Sequence, residues 1–214
     1  MEAHGPSTNV VQIVVTDSNP WAVNAQHLSV TNSFTLTVNE VNTAPVLETL
    51  SDRTVNPGQT ISFTATATDS DLPTNALTFS LLAPPAGASL GSSNGLFNWR
   101  PTLAQANSTN IIQVQVTDTN VYAINSQSLS DTKSFTVIVN PLAPVVLTPV
   151  TYRNGHFIVA VSGSTGPDYV IMASSNLVNW TDAFTNLSPA TPFQFDATNA
   201  PGVASRYYRV RLSP

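Results

Sequence analysis

The chain repeats itself. Val11 to Asn39 aligns without a gap on Ile112 to Asn140, at an offset of 101 residues and with 16 identities in 29 positions. Self-similarity at a domain-sized period constrains the architecture more than any local pattern, because equivalent segments take equivalent places in equivalent folds. The match runs back from Val11 through Ser7-Thr8-Asn9 on Ser108-Thr109-Asn110, and Ala3 on Ala104, until Met1 falls on Thr102. The second copy therefore holds about 60 residues, Ala44 to Pro101, without counterparts in the first. Residues 1–40 read as the back half of a module. Two or three strands bury too little apolar surface to offset the ordering of their backbone. An open sheet or a frayed segment is expected there unless it docks on the complete repeat. The start inside a module predicts a fragment, or an internal start, of a longer protein, the alternative being a free-standing protein with a strand-rich N-terminal extension.

The complete copy, residues 41–140, alternates with a period of two. Thr60 to Ala67, Ala76 to Leu81, Gly95 to Trp99, Ile112 to Val116 and Ser134 to Val139 mix β-branched and aromatic residues with polar ones. Asn56-Pro57-Gly58 and Pro84-Pro85-Ala86-Gly87 punctuate them. Such runs make half-buried strands, and about seven in about 100 residues is the size of an immunoglobulin-like sandwich. No segment has a capped 3.6-residue period. Residues 141–214 open with the stiff joint Pro141-Leu142-Ala143-Pro144 and continue in strand-like runs at His156 to Val161, Tyr169 to Ala173, Phe193 to Phe195 and Tyr207 to Arg211. They predict a small second β-domain, with Trp180 and one of its tyrosines in the core.

Composition removes several function classes. Lys133 is the single lysine beside six arginines, so no basic patch can track phosphates and nucleic acid is excluded as a partner. There is no cysteine, hence no disulfide, thiol nucleophile or thiolate zinc site. No apolar run reaches the roughly 18 residues of a membrane span. Only 9% of residues are charged, and 70 of the 214 are Thr, Ser or Asn. This is the habit of extracytoplasmic bacterial β-proteins, although the N-terminus has no signal-peptide pattern. His4, His27 and His156 are scattered without metal spacing, and Ser162-Gly163-Ser164-Thr165-Gly166 lacks the spacing of a nucleophile elbow. Asp69 and Asp71 lie on one loop, which suits a metal better than acid–base work across a cleft. No catalytic residue is assigned and the chain is not expected to be an enzyme.

Several short pieces occur together in order: Asn42-Thr43-Ala44-Pro45-Val46-Leu47, Ala67-Thr68-Asp69-Ser70-Asp71, Gly95-Leu96-Phe97-Asn98-Trp99-Arg100-Pro101 and Val116-Thr117-Asp118. In them the repeat resembles the cadherin-like family, and within it the dystroglycan-type and Ig-like modules of bacterial surface and secreted proteins. The C-terminal segment is loosely similar to fibronectin type III domains. The resemblance implies an all-β chain of tandem immunoglobulin/cadherin-like sandwiches. The first is truncated (1–40), the second complete (41–140), and a small C-terminal β-domain follows (141–214). It also implies calcium at the first joint, held by Asp17, Glu40, Asn42, Asp69 and Asp71, because Ca²⁺ takes six to eight hard oxygens. At the second joint Asn140-Pro141-Leu142-Ala143 carries no acid, which leaves Asp118 and Asp131 without linker partners.

The function implied is a structural or adhesive segment of an extracellular or cell-surface protein with a membrane-associated parent, its partners being other repeats or surface proteins. The alternatives are a carbohydrate-binding accessory region of a secreted hydrolase, using Trp180, Tyr207 and Tyr208 as an aromatic platform, and a truncated fragment without independent function. Trp21 and Tyr122 occupy equivalent loop positions and are expected to pin their loops. Unpaired edges in the half module make a strand-swapped dimer an expectation as well.

Overall fold

The computed structural model describes residues 5–153, 156–198 and 205–213, so His4 lies outside the described residues. Their regular elements are strands, apart from one 3-10 turn at Leu103–Gln105. The chain divides into two compact units. One gathers Met1–Val46, Ala67–Thr78 and Val116–Asp131; the other gathers Leu47–Thr66, Phe79–Gln115 and Thr132–Pro214.

The first unit contains a hairpin. Strands β1 (Ser7–Thr16) and β2 (Ser29–Val38) pair antiparallel from Ser7 opposite Val38 to Thr16 opposite Ser29. Neither strand contains a charge, a glycine or a proline, which suits an unbroken ladder. The long connection is ordered by its own polar groups. Asp17 Oδ1 accepts the Leu28 N–H at 2.8 Å, Asn19 Oδ1 accepts the Trp21 N–H at 3.1 Å, and Gln26 Nε2 donates to the Pro20 carbonyl at 3.2 Å. The same three bonds recur in the second copy at Asp118–Leu129 (2.7 Å), Asn120–Tyr122 (3.2 Å) and Gln127–Val121 (3.0 Å). The aromatic is not the pin that the sequence suggested: Trp21 is 90% exposed and Tyr122 60%. Short polar side chains bonding to nearby backbone do that work instead.

Strands β10 (Ser108–Thr117) and β11 (Ser130–Val139) reproduce β1 and β2 to the residue, 101 positions on. Here they lie inside a four-stranded sheet of order β4-β11-β10-β7, with β4 (Arg53–Val55) parallel to β11 and β7 (Thr78–Leu82) on the other edge. A second sheet is formed by β5 (Ile61–Thr64), β9 (Leu96–Trp99) and β8 (Ser89–Leu90), while β3 (Val46–Leu47) pairs with β6 (Ala67–Thr68). Aromatic contacts tie the two larger sheets together. Phe63 of β5 stacks on Phe97 of β9 at 5.0 Å, and Phe135 of β11 meets both rings edge-on at 5.3 and 5.6 Å. Val114, Phe135 and Val137 are at most 2% exposed, whereas their counterparts Ile13, Phe34 and Leu36 are 54%, 51% and 50% exposed. The same residue types make a core in one copy and an open face in the other.

The C-terminal domain packs two three-stranded sheets. β12 (Val146–Arg153), β13 (His156–Ser162) and β16 (Phe193–Thr198) form one; β15 (Thr181–Asn186), β14 (Asp168–Ser174) and β17 (Tyr207–Ser213) form the other. Val161, Tyr169 and Ile171 are its centre, with Phe193, Phe195, Tyr208, Val210 and Leu212 packed against them. The Tyr169 hydroxyl donates to the Ser164 carbonyl at 2.7 Å, so its one polar atom is satisfied inside the core. Tyr169, rather than Trp180, is the central aromatic.

The repeat joins this domain through neutral and ion-pair contacts. Asn56 Nδ2 donates to Thr165 Oγ1 at 2.8 Å, the Ala143 N–H donates to Ser164 Oγ at 2.7 Å, and Arg100 reaches Asp168 at 3.3 Å. Gly58 and Gly166 meet backbone to backbone. A Cβ on Gly58 would lie 2.7 Å from the Gly166 carbonyl oxygen, and both have positive φ.

The contrast between the copies has a measurable consequence. Phe135→Ala removes the ring that bridges both sheets and should cost about 3–5 kcal/mol in urea unfolding. Phe34→Ala in dilute protein should cost less than about 1 kcal/mol, because half of that ring already meets water.

Candidate metal centre

The linker that follows the hairpin is fixed by hydrogen bonds of the loop after β10. The Glu40 carbonyl accepts the Ile124 N–H at 3.0 Å, and Glu40 Oε1 accepts from Asn120 Nδ2 at 3.1 Å. Asn42 and Asn125 form a reciprocal pair: the Asn42 N–H donates to Asn125 Oδ1 and Asn125 Nδ2 donates to the Asn42 carbonyl, both at 2.9 Å. A linker held at both its carbonyls and its side chains presents those side chains in one geometry.

Three carboxylates converge beside it. Asp69 and Asp71 follow β6 in a turn in which the Asp71 N–H donates to Asp69 Oδ1 at 2.9 Å, an Asx-type bond that aims both side chains to one side. Asp118 stands directly after β10. One oxygen from each of Asp69, Asp71 and Asp118 lies within 4.8 Å of the others. Asp118 and Asp71 are buried, Asp69 partly so. The Asp71 carboxylate accepts the Thr43 N–H at 3.0 Å and Asn75 Nδ2 at 3.0 Å. Asp118 Oδ1 accepts from Asn42 Nδ2 at 3.0 Å and from the Leu129 N–H at 2.7 Å. The second oxygens of Asp69 and Asp118 are buried with no hydrogen-bond partner in the protein.

That arrangement is electrostatically unfavourable by itself. Buried carboxylate oxygens without donors lose their hydration, and three like charges at this spacing repel. The surroundings offer no relief: the unit holding the cluster contains seven of the chain's twelve Asp and Glu and none of its seven Lys and Arg. The Asp69 carboxyl is accordingly pushed above its ordinary value of 3.8, mainly by burial and further by the charges of Asp71 and Asp118, against the pull of the Asp71 N–H. The three carboxylates offer hard oxygens, and Asn42 and Asn75 turn their amide nitrogens toward them. Such a set fits a divalent cation of the Ca²⁺ class rather than a softer metal.

Of the five residues assigned from the sequence, the structure brings Asp69 and Asp71 together, with Asn42 bonded to their neighbour Asp118. Glu40 is buried beside them but its Oε1 is engaged by Asn120. Asp17 is not in the cluster. It is the repeat counterpart of Asp118 and bonds Leu28 as Asp118 bonds Leu129. Asp118 was assigned to the wrong joint: β10 carries it back to the end at which the linker enters. The repeat was the signal that could have placed it, because Asp17 and Asp118 are equivalent.

Two of the three aromatic residues singled out in the C-terminal domain are engaged within it. Trp180 donates its indole N–H to the Leu177 carbonyl at 3.1 Å, and the Arg209 guanidinium lies over its ring at 4.3 Å. Tyr207 and Tyr208 are consecutive on β17 and point to opposite faces. Tyr208 packs edge-on against Phe195 at 5.6 Å.

Residues 44–140 match a family model described as "Putative Ig domain". Over those residues the chain is similar to that family. No curated protein shows significant similarity to the chain. Solved structures similar to it include mouse cadherin-23 EC22-24 (12% identity, TM-score 0.43, covering 77% of this chain and 57% of that one). A second is Down Syndrome Cell Adhesion Molecule isoform 1.30.30, its N-terminal eight Ig domains (11%, TM-score 0.31, 91% and 38%). A third is a putative alpha-galactosidase from Bacteroides fragilis (17%, TM-score 0.30, 49% and 19%). The chain thus spans less than two thirds of each of those structures.

The raised Asp69 carboxyl sets a pH dependence. A carboxyl that holds its proton more tightly when folded lends stability below its unfolded value, and that contribution is lost as pH rises through the folded one. In EDTA, Asp69→Asn should therefore melt above the unsubstituted protein at pH 7. The difference should shrink as pH falls toward 3.8, the ordinary aspartate value, in melts followed by circular dichroism.

Proposed function

We propose that the chain is a non-catalytic structural or adhesive segment of an extracellular protein. In this reading its Ig-like repeat is stiffened at the entrance by one calcium ion. The observation that carries the proposal is the convergence of Asp69, Asp71 and Asp118 with two buried, unpartnered oxygens in a unit that has no Lys or Arg. A cation supplies the missing countercharge and the missing partners at once. Asp69, Asp71 and Asp118 would hold it, and an amide flip of Asn42 or Asn75 would exchange its Nδ2 bond to a carboxylate for an oxygen ligand. Because Asn42 belongs to the linker and is clamped by Asn125, an ion at this place resists bending of the linker against the loops that bind it. Stiffness along a series of modules is what a spacer or an adhesive array requires.

The absence of His and Cys from the cluster favours calcium over zinc, and three carboxylates from the protein itself favour calcium over magnesium, which is usually held by one or two carboxylates and several waters. Extracellular modules of this kind bind calcium with dissociation constants of roughly 10⁻⁴–10⁻³ M.

Millimolar calcium should raise the melting temperature of the full chain by several degrees over EDTA, since a ligand at 100 times its dissociation constant adds about 2.7 kcal/mol. Asp118→Asn should remove the shift, whereas Asp17→Asn should leave it intact. A calcium shift that survives Asp118→Asn, or none in the unsubstituted chain, would refute the site.

A further inference from the structure

We propose that a cavity at one end of the C-terminal domain binds a small aromatic carboxylic acid. The cavity measures about 260 Å³ and lies between the two three-stranded sheets. Its origin is in the sequences of β14 and β16. Tyr169 and Phe193 fill the space between the sheets at one end, where their rings meet edge-on at 5.4 Å. Four residues further along the same strands stand Ala173 and Ala197, both buried. Side chains four apart on a strand share a face, so two alanines occupy the inner positions that two large rings take at the other end. Ala173 lies opposite Tyr208 and Ala197 opposite Phe157, which places the shortfall in volume between those two strand pairs.

The lining selects the ligand. The buried Ile171 and Val159 form the floor, and Phe157, Phe195 and Tyr208 the walls; Phe195 meets Tyr208 edge-on at 5.6 Å across the two sheets. The exposed Tyr207 and half-buried Arg206 mark the mouth. An apolar cavity of roughly 150 Å³ is enough for benzene, so the larger space here takes a benzene ring with a short carbon chain. Aromatic walls favour a ring through edge-on and offset contacts. A sugar fits poorly, because most of its hydroxyls would face carbon and lose their hydration without replacement. Arg206 fixes the other end of the ligand. Among the described residues that line the cavity it alone carries a charge, and its guanidinium carbon lies 5.6 Å from the Tyr208 ring centre. A guanidinium presents five N–H donors in one plane, the geometry that a carboxylate accepts. The wider field agrees: residues 141–214 hold four arginines against three aspartates, whereas residues 1–140 hold nine acids against three basic side chains.

Methyl NMR on the full chain in EDTA tests the cavity separately from the metal site. The probe is 3-phenylpropionate, compared with 3-phenylpropanol, which keeps the ring and chain and lacks the charge. At pH 7 the acid should shift the Ile171 and Val159 methyl signals along a saturating curve, with a Kd of about 1 mM or below. The alcohol should bind the same place about tenfold more weakly, and Arg206→Gln should erase the difference by weakening the acid alone. Ala197→Leu fills the space and should abolish binding of both. Overhauser contacts from the ligand ring to the Ile171 methyl locate the site in the unsubstituted chain, independently of how that variant folds. The proposal is overturned by an acid that does not saturate at about 20 mM, by equal affinity for acid and alcohol, by an acid affinity that survives Arg206→Gln, or by ring contacts that miss Ile171.

Discussion

A two-stranded ribbon with one apolar face must find a second layer, and the whole chain is organised by where that layer is present. β-branched residues alternate along β10 and β11 because a pleated strand sends successive side chains to opposite sides. That alternation is worth stability only when the inner side is removed from water. Phe135 reaches across to Phe63 and Phe97, and this three-ring contact converts a patterned ribbon into the core of a sandwich. In β1 and β2 the pattern and the strand positions are the same, and Phe34 is half exposed. Local sequence dictates the hairpin; tertiary burial decides whether it is stable.

The loops obey a different rule, and for that reason they are conserved in form between the two copies although the cores are not. Asp17 and Asp118, Asn19 and Asn120, Gln26 and Gln127 make the same bonds to backbone groups within a dozen residues. Those bonds close without help from the rest of the module. What the complete copy adds is a set of longer-range uses for the same residues. Asn120 also bonds Glu40, and Asp118 also bonds Asn42 and joins Asp69 and Asp71. A loop that forms by itself is a reliable platform on which to assemble an acidic site.

This difference explains how much could be read from the sequence. Strand positions, the all-β class and the repeat were legible because they depend on period-2 alternation and on self-alignment, both local in the chain. Asp69 and Asp71 were legible as a pair for the same reason, being two residues apart. Asp118 was not, because its membership in the cluster depends on β10 returning to the end where the linker enters, a fact about topology. Trp180 was misjudged on size: it lies against Arg209 rather than in the core, while Tyr169 can enter the core because the Ser164 carbonyl is there to accept its hydroxyl. Trp21 was misjudged similarly, since polar bonds already close its loop and leave the ring nothing to pin.

The two ends of the complete repeat are therefore held by different physics. At the entrance, carboxylates gather with no basic residue in their unit, and buried oxygens remain without donors. At the exit, Arg100 answers Asp168, Asn56 answers Thr165, and Gly58 and Gly166 approach so closely that no side chain fits between them. The exit is satisfied by groups the chain itself supplies, and a cation has nothing to add there. The entrance keeps an electrostatic deficit that only protonation or a bound cation can relieve. The Asp69 carboxyl, pushed up by its burial and by the charges of Asp71 and Asp118, carries the mark of that deficit.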